Sequence, residues 1–382
     1  MLTKRKAIPS ARIERWLGAE RAERLSAHMK GWYGPPINLR DLPGSVWLGG
    51  DGDYCGDFDR GFFDSAEDAF GRLLRRESDK WRRALHPDIL AQYASVGFAS
   101  ISDALSRASS GNRQLLNGAI AKSGPTGVGN VCSSLWRVGT MPAAGAAGSA
   151  APGGRALTKA TTGAMAFNNV STDTLHLTGA DFAANVINNS LMLYDRIFDV
   201  AKTMNSTATE SVTGVPTRYQ STTASAADYA GGNFLFIEVG GTALAATAHN
   251  WTTCLYRNQA GTDAQTLPSV TGASGAIVDR FDMPANTWFC PLASGDSGVM
   301  DLNQMQCSAA VATGAVNFVI GHSIGIMCFP VISSMLPFDW LTNRNQAPRI
   351  FDDAALALFE LPKPATTATT YSGMIYATSA AP

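Results

Sequence analysis

Apolar positions along the 382-residue chain follow two rhythms, and the change between them divides it. Near the N-terminus they recur every three or four residues. Ile13, Trp16 and Leu17 follow Ser10, and Ala66, Ala69, Phe70, Leu73, Leu74 and Trp81 follow Ser65, with charged residues on the remaining faces. That is the spacing of helices that bury one stripe, so helices are predicted over about 10–29, with Ser10 as its cap, and over about 65–84. In the C-terminal part the apolar residues come instead in short runs, rich in aromatic and β-branched types and cut by Gly, Asn and Pro. Asn233-Phe-Leu-Phe-Ile-Glu-Val239, Ala248 to Tyr256, Trp288 to Val299 and Asn303 to Cys307 read as strands that each bury one face. The stretch Asn233–Ser308 is therefore expected to organise the rest.

Between the two regimes the pattern fades. His86-Pro87 stops the second helix, Ile101 to Leu105 suits a helix or a loop, and Ser106 to Gly129 is polar and Gly-rich. Gly139-Thr-Met-Pro-Ala-Ala-Gly-Ala-Ala-Gly-Ser-Ala-Ala-Pro-Gly-Gly154 has little apolar surface to bury and is expected to lie extended or flexible. The predicted architecture is α+β and mainly β. A charged, mainly helical region (1–110) leads through a Gly/Ala/Ser-rich extended arm or linker (111–160) to an antiparallel, jelly-roll-like β-sandwich (161–382). Some segments stay open. Asn188 to Val200 fits a strand face or a helical stripe through Leu193, Ile197 and Val200, and Ala354 to Glu360 fits either type. Met374-Ile-Tyr376 suits a last edge strand, its own or one exchanged with a neighbour. Val311 to Ile332 is the most apolar span, but Asn317, His322 and Pro330 make two strand-like runs, Ala315 to Ile320 and Ile324 to Ile332, a better fit than a membrane helix.

Charge sharpens the boundary. Residues 1–110 hold 17 Lys/Arg and 15 Asp/Glu, which leaves 29 charged residues for the other 272. Over the whole chain the net charge is −1 and only 16% of residues are charged, so no overall field draws the protein to nucleic acid or to a membrane surface. No apolar leader follows Met1-Leu-Thr-Lys-Arg-Lys6, so no secretory signal is expected. Six cysteines are scattered without a Cys-x-x-Cys pair, which reads as free, buried thiols.

Several motifs approach chemistry without completing it. Asp51, Asp53, Asp57 and Asp59 suggest a calcium loop, but Phe62 stands where the bidentate acid is required, and solvated turn residues are the plainer reading. Gly295-Asp-Ser-Gly298 copies the nucleophile loop of trypsin-like proteases, and His249 faintly copies their histidine segment. The 48 residues between His249 and Ser297 are too few for that fold, so a tight turn is expected. Asp279 and Asp282 flank Phe281 without the spacing of paired carboxylates across a cleft. His28, His86, His176 and His322 are isolated, and neither a phosphate loop nor a dinucleotide fingerprint is present. No catalytic residue, metal site or cofactor is expected.

The phrases Leu193-Tyr-Asp-Arg-Ile197, Gly214-Val-Pro-Thr-Arg-Tyr219, Phe-Ile-Glu-Val239, Leu255-Tyr-Arg-Asn-Gln-Ala-Gly-Thr262 and Pro291-Leu-Ala-Ser-Gly-Asp-Ser-Gly-Val299 resemble virion structural proteins of tailed bacteriophages, over roughly residues 133–332. The resemblance implies a non-enzymatic particle protein, assembled in the host cytoplasm. A head-associated minor capsid, cement or decoration role is expected, with other virion proteins, above all the major capsid protein, and further copies of itself as partners. Neither specific nucleic acid nor a membrane is expected as a partner. Trp16, Trp32, Tyr33, Trp47 and Trp81 are then the candidate interface anchors, since aromatic residues dominate such contacts. The alternative is a tail or receptor-binding module whose sandwich binds glycan.

Overall fold

A computed structural model of the chain describes Phe98 and residues 100–382, apart from 127, 171–172, 223–230, 342–346, 365–366 and 381–382. The described residues belong to one unit, Ala91–Pro382. The helices predicted over 10–29 and 65–84, the four aspartates of the calcium motif and all five interface candidates, Trp16, Trp32, Tyr33, Trp47 and Trp81, lie outside the described residues.

The described part is mainly β and almost wholly antiparallel. One helix precedes it, α1 (Ile101–Ser109), capped where the Ser100 hydroxyl accepts the Asp103 N–H at 3.0 Å. Sheet I runs in the order β1 (Arg113–Ser123), β18 (Thr370–Ala380), β5 (Thr174–Ala184), β15 (Leu336–Asp339), with β16 (Arg349–Ile350) also on β5. Sheet II runs β2 (Ser133–Ser134), β17 (Leu356–Glu360), β6 (Asn189–Thr203), β14 (Ala315–Phe329), β8 (Asn233–Val239). Two smaller assemblies complete the body. One is β11 (Gln265–Thr266), β10 (Leu255–Asn258), β13 (Val299–Met305), β7 (Glu210–Ser211), and the other pairs β12 (Val270–Thr271) with β9 (Asn250–Trp251).

The axis of the described body is the antiparallel pair β6 and β14, each 15 residues long. Asn188–Val200, open between helix and strand from its pattern, is strand. Leu191, Leu193, Ile324, Met327 and Phe329 enter one core, against Leu175, Leu177, Phe182 and Ile375 of sheet I. Farther along the same strands Phe198, Val200, Val316, Phe318 and Ile320 enter a second core, with Trp251, Tyr256, Val299, Leu302 and Met305 of the small sheets. The span Val311–Ile332 is therefore crossed by one strand rather than two. Register shifts between Ile320 and Gly321 and between Ser323 and Gly325 bend it where two runs were expected. No helix among the described residues is long and apolar enough to cross a membrane.

Besides the single strand across Val311–Ile332 and the lack of a strand over 288–298, this arrangement corrects four expectations. The organising element is the β6/β14 pair rather than Asn233–Ser308, whose first strand, β8, lies at the end of sheet II. Strands β8 and β17 are buried at every residue, so they do not present one wet face. A strand covered on both sides needs no polar alternation. Met374–Tyr376 belongs to an interior strand, because β18 is flanked by β1 and β5.

The fourth correction concerns 111–160, expected as an arm or linker. It supplies β1 to sheet I and β2 to sheet II. Along β6, β17 covers Leu191–Asp195, and β4 (Arg155–Ala156) and β3 (Ser149–Ala150) pair with residues 198–201 beyond it. Its small residues permit close approach rather than flexibility. A side chain at Gly145 would meet the Trp136 ring at 2.3 Å, and Gly154, at φ +58°, lies against Phe198.

Candidate functional site

The most unusual chemistry in the described body is ionic and lies inside it. Sheet II carries Asp195, Arg196 and Asp199 on β6 and Glu238 on β8, all fully buried. The Arg196 guanidinium donates to Glu238 through Nη2 (2.7 Å) and Nη1 (3.3 Å) and to Asp199 Oδ2 through Nη2 (3.0 Å) and Nε (3.2 Å), with its Cζ 5.0 Å from the Trp136 ring. Asp199 also accepts from its cross-strand partner Arg155 on β4, at 2.7 and 3.1 Å. Glu238 accepts from its own cross-strand partner, Asn317 on β14, at 3.0 Å, and the Asn317 Oδ1 accepts the Gly148 N–H. Two cations meet two anions, so the group is neutral where an unpaired charge would cost several kcal/mol. Burial pushes Glu238 up, but Arg196, Ser134 and Asn317 together hold it below the ordinary carboxylate range. Arg196 is raised further, its own burial outweighed by Glu238, Tyr194 and Asp199. The Tyr194 hydroxyl also accepts from Arg196 Nη1 at 3.4 Å, and its ring belongs to a cluster with Phe234, Phe236, Phe281, Phe289 and Phe359, in which Phe236 stacks on Phe281 at 4.4 Å and Phe234 on Phe289 at 4.1 Å.

Three further groups follow the same rule. Arg218 grips Asp195 bidentately (2.7 and 2.8 Å), and Asp195 also accepts the Ala355 N–H, tying the loop before β17 to β6. Next to it the Tyr219 ring stacks on His322 at 4.2 Å. His322 Nδ1 lies 2.7 Å from Asn233 Oδ1, and burial holds this imidazole down at about 4. Glu360 Oε1 accepts from Lys363 (2.8 Å) and Tyr371 (2.8 Å), while Lys363 and Asn189 both donate to Thr369. Arg137 donates to Asp279 at 2.8 Å, and Asp279 is nonetheless pushed up to about 6 by burial.

The motifs singled out from the sequence have structural partners. The turn expected over Gly295-Asp-Ser-Gly298 lies two residues earlier, over Ala293–Asp296: the Asp296 N–H donates to Ala293 O at 3.0 Å, with Gly295 at φ +92° as its third residue. Asp296 accepts from the Tyr256 hydroxyl and from Asn258, and the Ser297 N–H donates to Gln259. Both nitrogens of His249 are engaged elsewhere, Nε2 with Asp282 at 2.9 Å and Nδ1 with Thr247 O at 2.9 Å, which leaves neither to take a proton from Ser297. Asp282 also accepts from Trp251 and from the Ala273 N–H, and Asp279 belongs to Arg137, so the two acids flanking Phe281 serve separate networks. His176 lies between Thr174 Oγ1 and Ala347 O. Among the described residues no group of three or more His, Cys, Asp or Glu is placed to hold a metal ion. Cys132, Cys254, Cys290 and Cys307 are free and buried, Cys254 pushed up to about 11 by desolvation, whereas Cys328 is free but exposed.

A cavity of 190 Å³ opens beside α1, lined in part by Leu105, Ala108, Arg113, Gly179 and Tyr376. The Arg113 guanidinium lies 3.8 Å from the centre of the Tyr376 ring, and the Tyr376 hydroxyl donates to Asp181 at 2.6 Å. The ionic groups of sheet II were not identified from the sequence. Their signal was present: Asp195, Arg196 and Asp199 interrupt Leu-Met-Leu-Tyr-Asp-Arg-Ile-Phe-Asp-Val200, and Glu238 interrupts Phe-Leu-Phe-Ile-Glu-Val239. Charges inside runs that apolar require burial, and burial requires partners.

Compared with known proteins, the chain matches no family model, no curated protein and no solved structure.

Proposed function

We propose that this protein is a non-enzymatic structural component of a tailed-phage particle, a head-associated minor capsid, cement or decoration protein that works through contacts with other subunits. The observation that carries the reading is where the charge goes. In the described body the buried acids Asp195, Asp199, Glu238 and Glu360 of sheet II are each closed by a cation, and the Arg196–Glu238 pair joins two strands and fixes their register. A body built in this way is suited to bear load between neighbours and to hold a shape.

The jelly-roll-like sandwich belongs to the same proposal. It is supported by a chain that shuttles between facing sheets, from β5 to β6, from β14 to β15, and through β16, β17 and β18 in turn. The alternative, a glycan-binding tail module, would use the cavity beside α1, but there Arg113 occupies a face of the Tyr376 ring. The test is compositional. Particles purified from producing cells are expected to contain the chain at a fixed ratio to the major capsid protein, and in head rather than tail fractions. Its absence from purified particles overturns the proposal.

A further inference from the structure

Eleven large apolar side chains are exposed among the described residues, and four of them sit together: Ile187 (50%), Val331 (42%), Ile332 (54%) and Met335 (54%). They belong to two loops at one end of the sheets, 185–188 between β5 and β6 and 330–335 between β14 and β15. Hydrogen bonds hold the loops side by side, the Asn188 N–H donating to Phe329 O (3.0 Å) and the Ser333 N–H to Ala184 O (2.7 Å). Each loop also holds one non-glycine residue in the left-handed region, Asn188 at φ 55° and Ser333 at φ 52°. The apolar residues are thus displayed by tied turns. From 182 to 190 and from 323 to 338 the sequence contains no Asp, Glu, Lys or Arg.

We infer that this tip is a self-association surface, and that its occupant is the same tip of a second copy of this chain. Charge decides the occupant. In a twofold contact each group meets its own kind, so a single Lys or Asp would face its like at close range, and these loops have none. Asn185, Asn188, Ser333 and Ser334 at the rim offer donors and acceptors together and can pair with themselves. A lipid surface would be met by basic residues around the apolar tip, and a charged partner by opposite charge; the loops supply neither. The size sets the strength. Four side chains exposed to this degree present on the order of 400 Å² of apolar surface, about half of the ~800 Å² per partner in a standard interface. The contact is therefore weak between free copies and becomes effective where many copies are held together, the one respect in which it rests on the proposed structural role.

The test uses the full chain. In sedimentation over a rising concentration series the wild-type protein is expected to self-associate, and Ile187→Lys combined with Ile332→Lys to weaken association at least tenfold, with an unchanged melting temperature because both side chains are exposed. The exposed Cys328, opposite Ser190 beside the tip, provides a second readout. Its alkylation is expected to slow as wild-type concentration rises and to stay constant in the double variant. A wild-type protein that sediments as a monomer throughout overturns the inference. So does a folded double variant that associates as strongly as wild type, or a wild-type chain that floats with neutral phosphatidylcholine vesicles through this tip. Self-association in a protein absent from phage particles would leave this inference standing while removing the proposed role.

Discussion

The two cores along β6 and β14 are built from the same strands but by different chemistry. Where these strands face sheet I, Leu191, Leu193, Ile324 and Met327 meet Leu175, Leu177, Phe182 and Ile375, and the contact is apolar apart from a tie such as that of the Tyr371 hydroxyl to Glu360. Toward the other core, Arg196, Asp199, Glu238 and Asn317 lie buried beside Tyr194, Phe236 and Phe281. Apolar contacts are non-directional and tolerate substitution at conserved volume. Charged hydrogen bonds fix both distance and angle, so a one-residue slip of β8 against β14 would separate Glu238 from Asn317 and leave Arg196 with Asp199 alone. The comparison teaches that both cores adhere by apolar burial, and that the one with the ionic groups also specifies which strand residues stand opposite each other.

The comparison breaks most sharply at Glu238. Glu238→Ala leaves the buried Arg196 with a single acid between it and Arg155, and a loss of about 3–5 kcal/mol is expected in urea unfolding. Replacing both members, Arg196→Leu with Glu238→Leu, is expected to cost less than the single change, because no charge is left stranded. A double variant that costs as much as Glu238→Ala or more would show that the pair contributes net stability as well as register.

His322 sharpens the contrast through pH. Its folded pKa of about 4 lies below the ordinary value of 6.5, so the unfolded chain binds the extra proton first as the pH falls. Its contribution is at its full value above pH 6.5, is lost as the pH falls toward 4 and is constant below that, a change on the order of 3 kcal/mol. His322→Asn is expected to flatten that part of the stability profile; an unchanged slope would place the titration elsewhere. The smallest effect belongs to the apolar core. Ile324→Val, which trims one methylene beside sheet I, is expected to cost about 0.5–1.5 kcal/mol with no pH dependence, checked by the same unfolding measurement at pH 5 and pH 8.

Much of the strand content was legible. Phe-rich and β-branched runs located β8 and most of β14, and a turn at Gly295 followed from its own residues, whereas Ala248–Tyr256 is broken between β9 and β10 and 288–298 holds no strand. The role of β6 was not, because Leu-Tyr-Asp-Arg-Ile supports two periodicities at once and the choice depends on what covers each face. Nor was the fate of 139–154. A run of Gly and Ala looks flexible until the Trp136 and Phe198 rings it must pass are known, and only then do its missing side chains read as clearance. The ionic groups were visible as anomalies of composition, but their pairing joins residues 44 positions apart (Arg155 and Asp199), 42 apart (Arg196 and Glu238) and 79 apart (Glu238 and Asn317).

The order of amino acids by itself determined that the described part would be mainly β, that the chain would turn at Gly295, and that four of the five described cysteines would be buried and free. Those outcomes depend on neighbours a few residues away, through φ/ψ preference and period-two burial. Tertiary structure alone decided which strand is central, which small residues are clearance, and which buried acid answers which guanidinium. Each of these depends on two distant segments meeting, and the free energy of a buried charge has no definite value until its partner is in place.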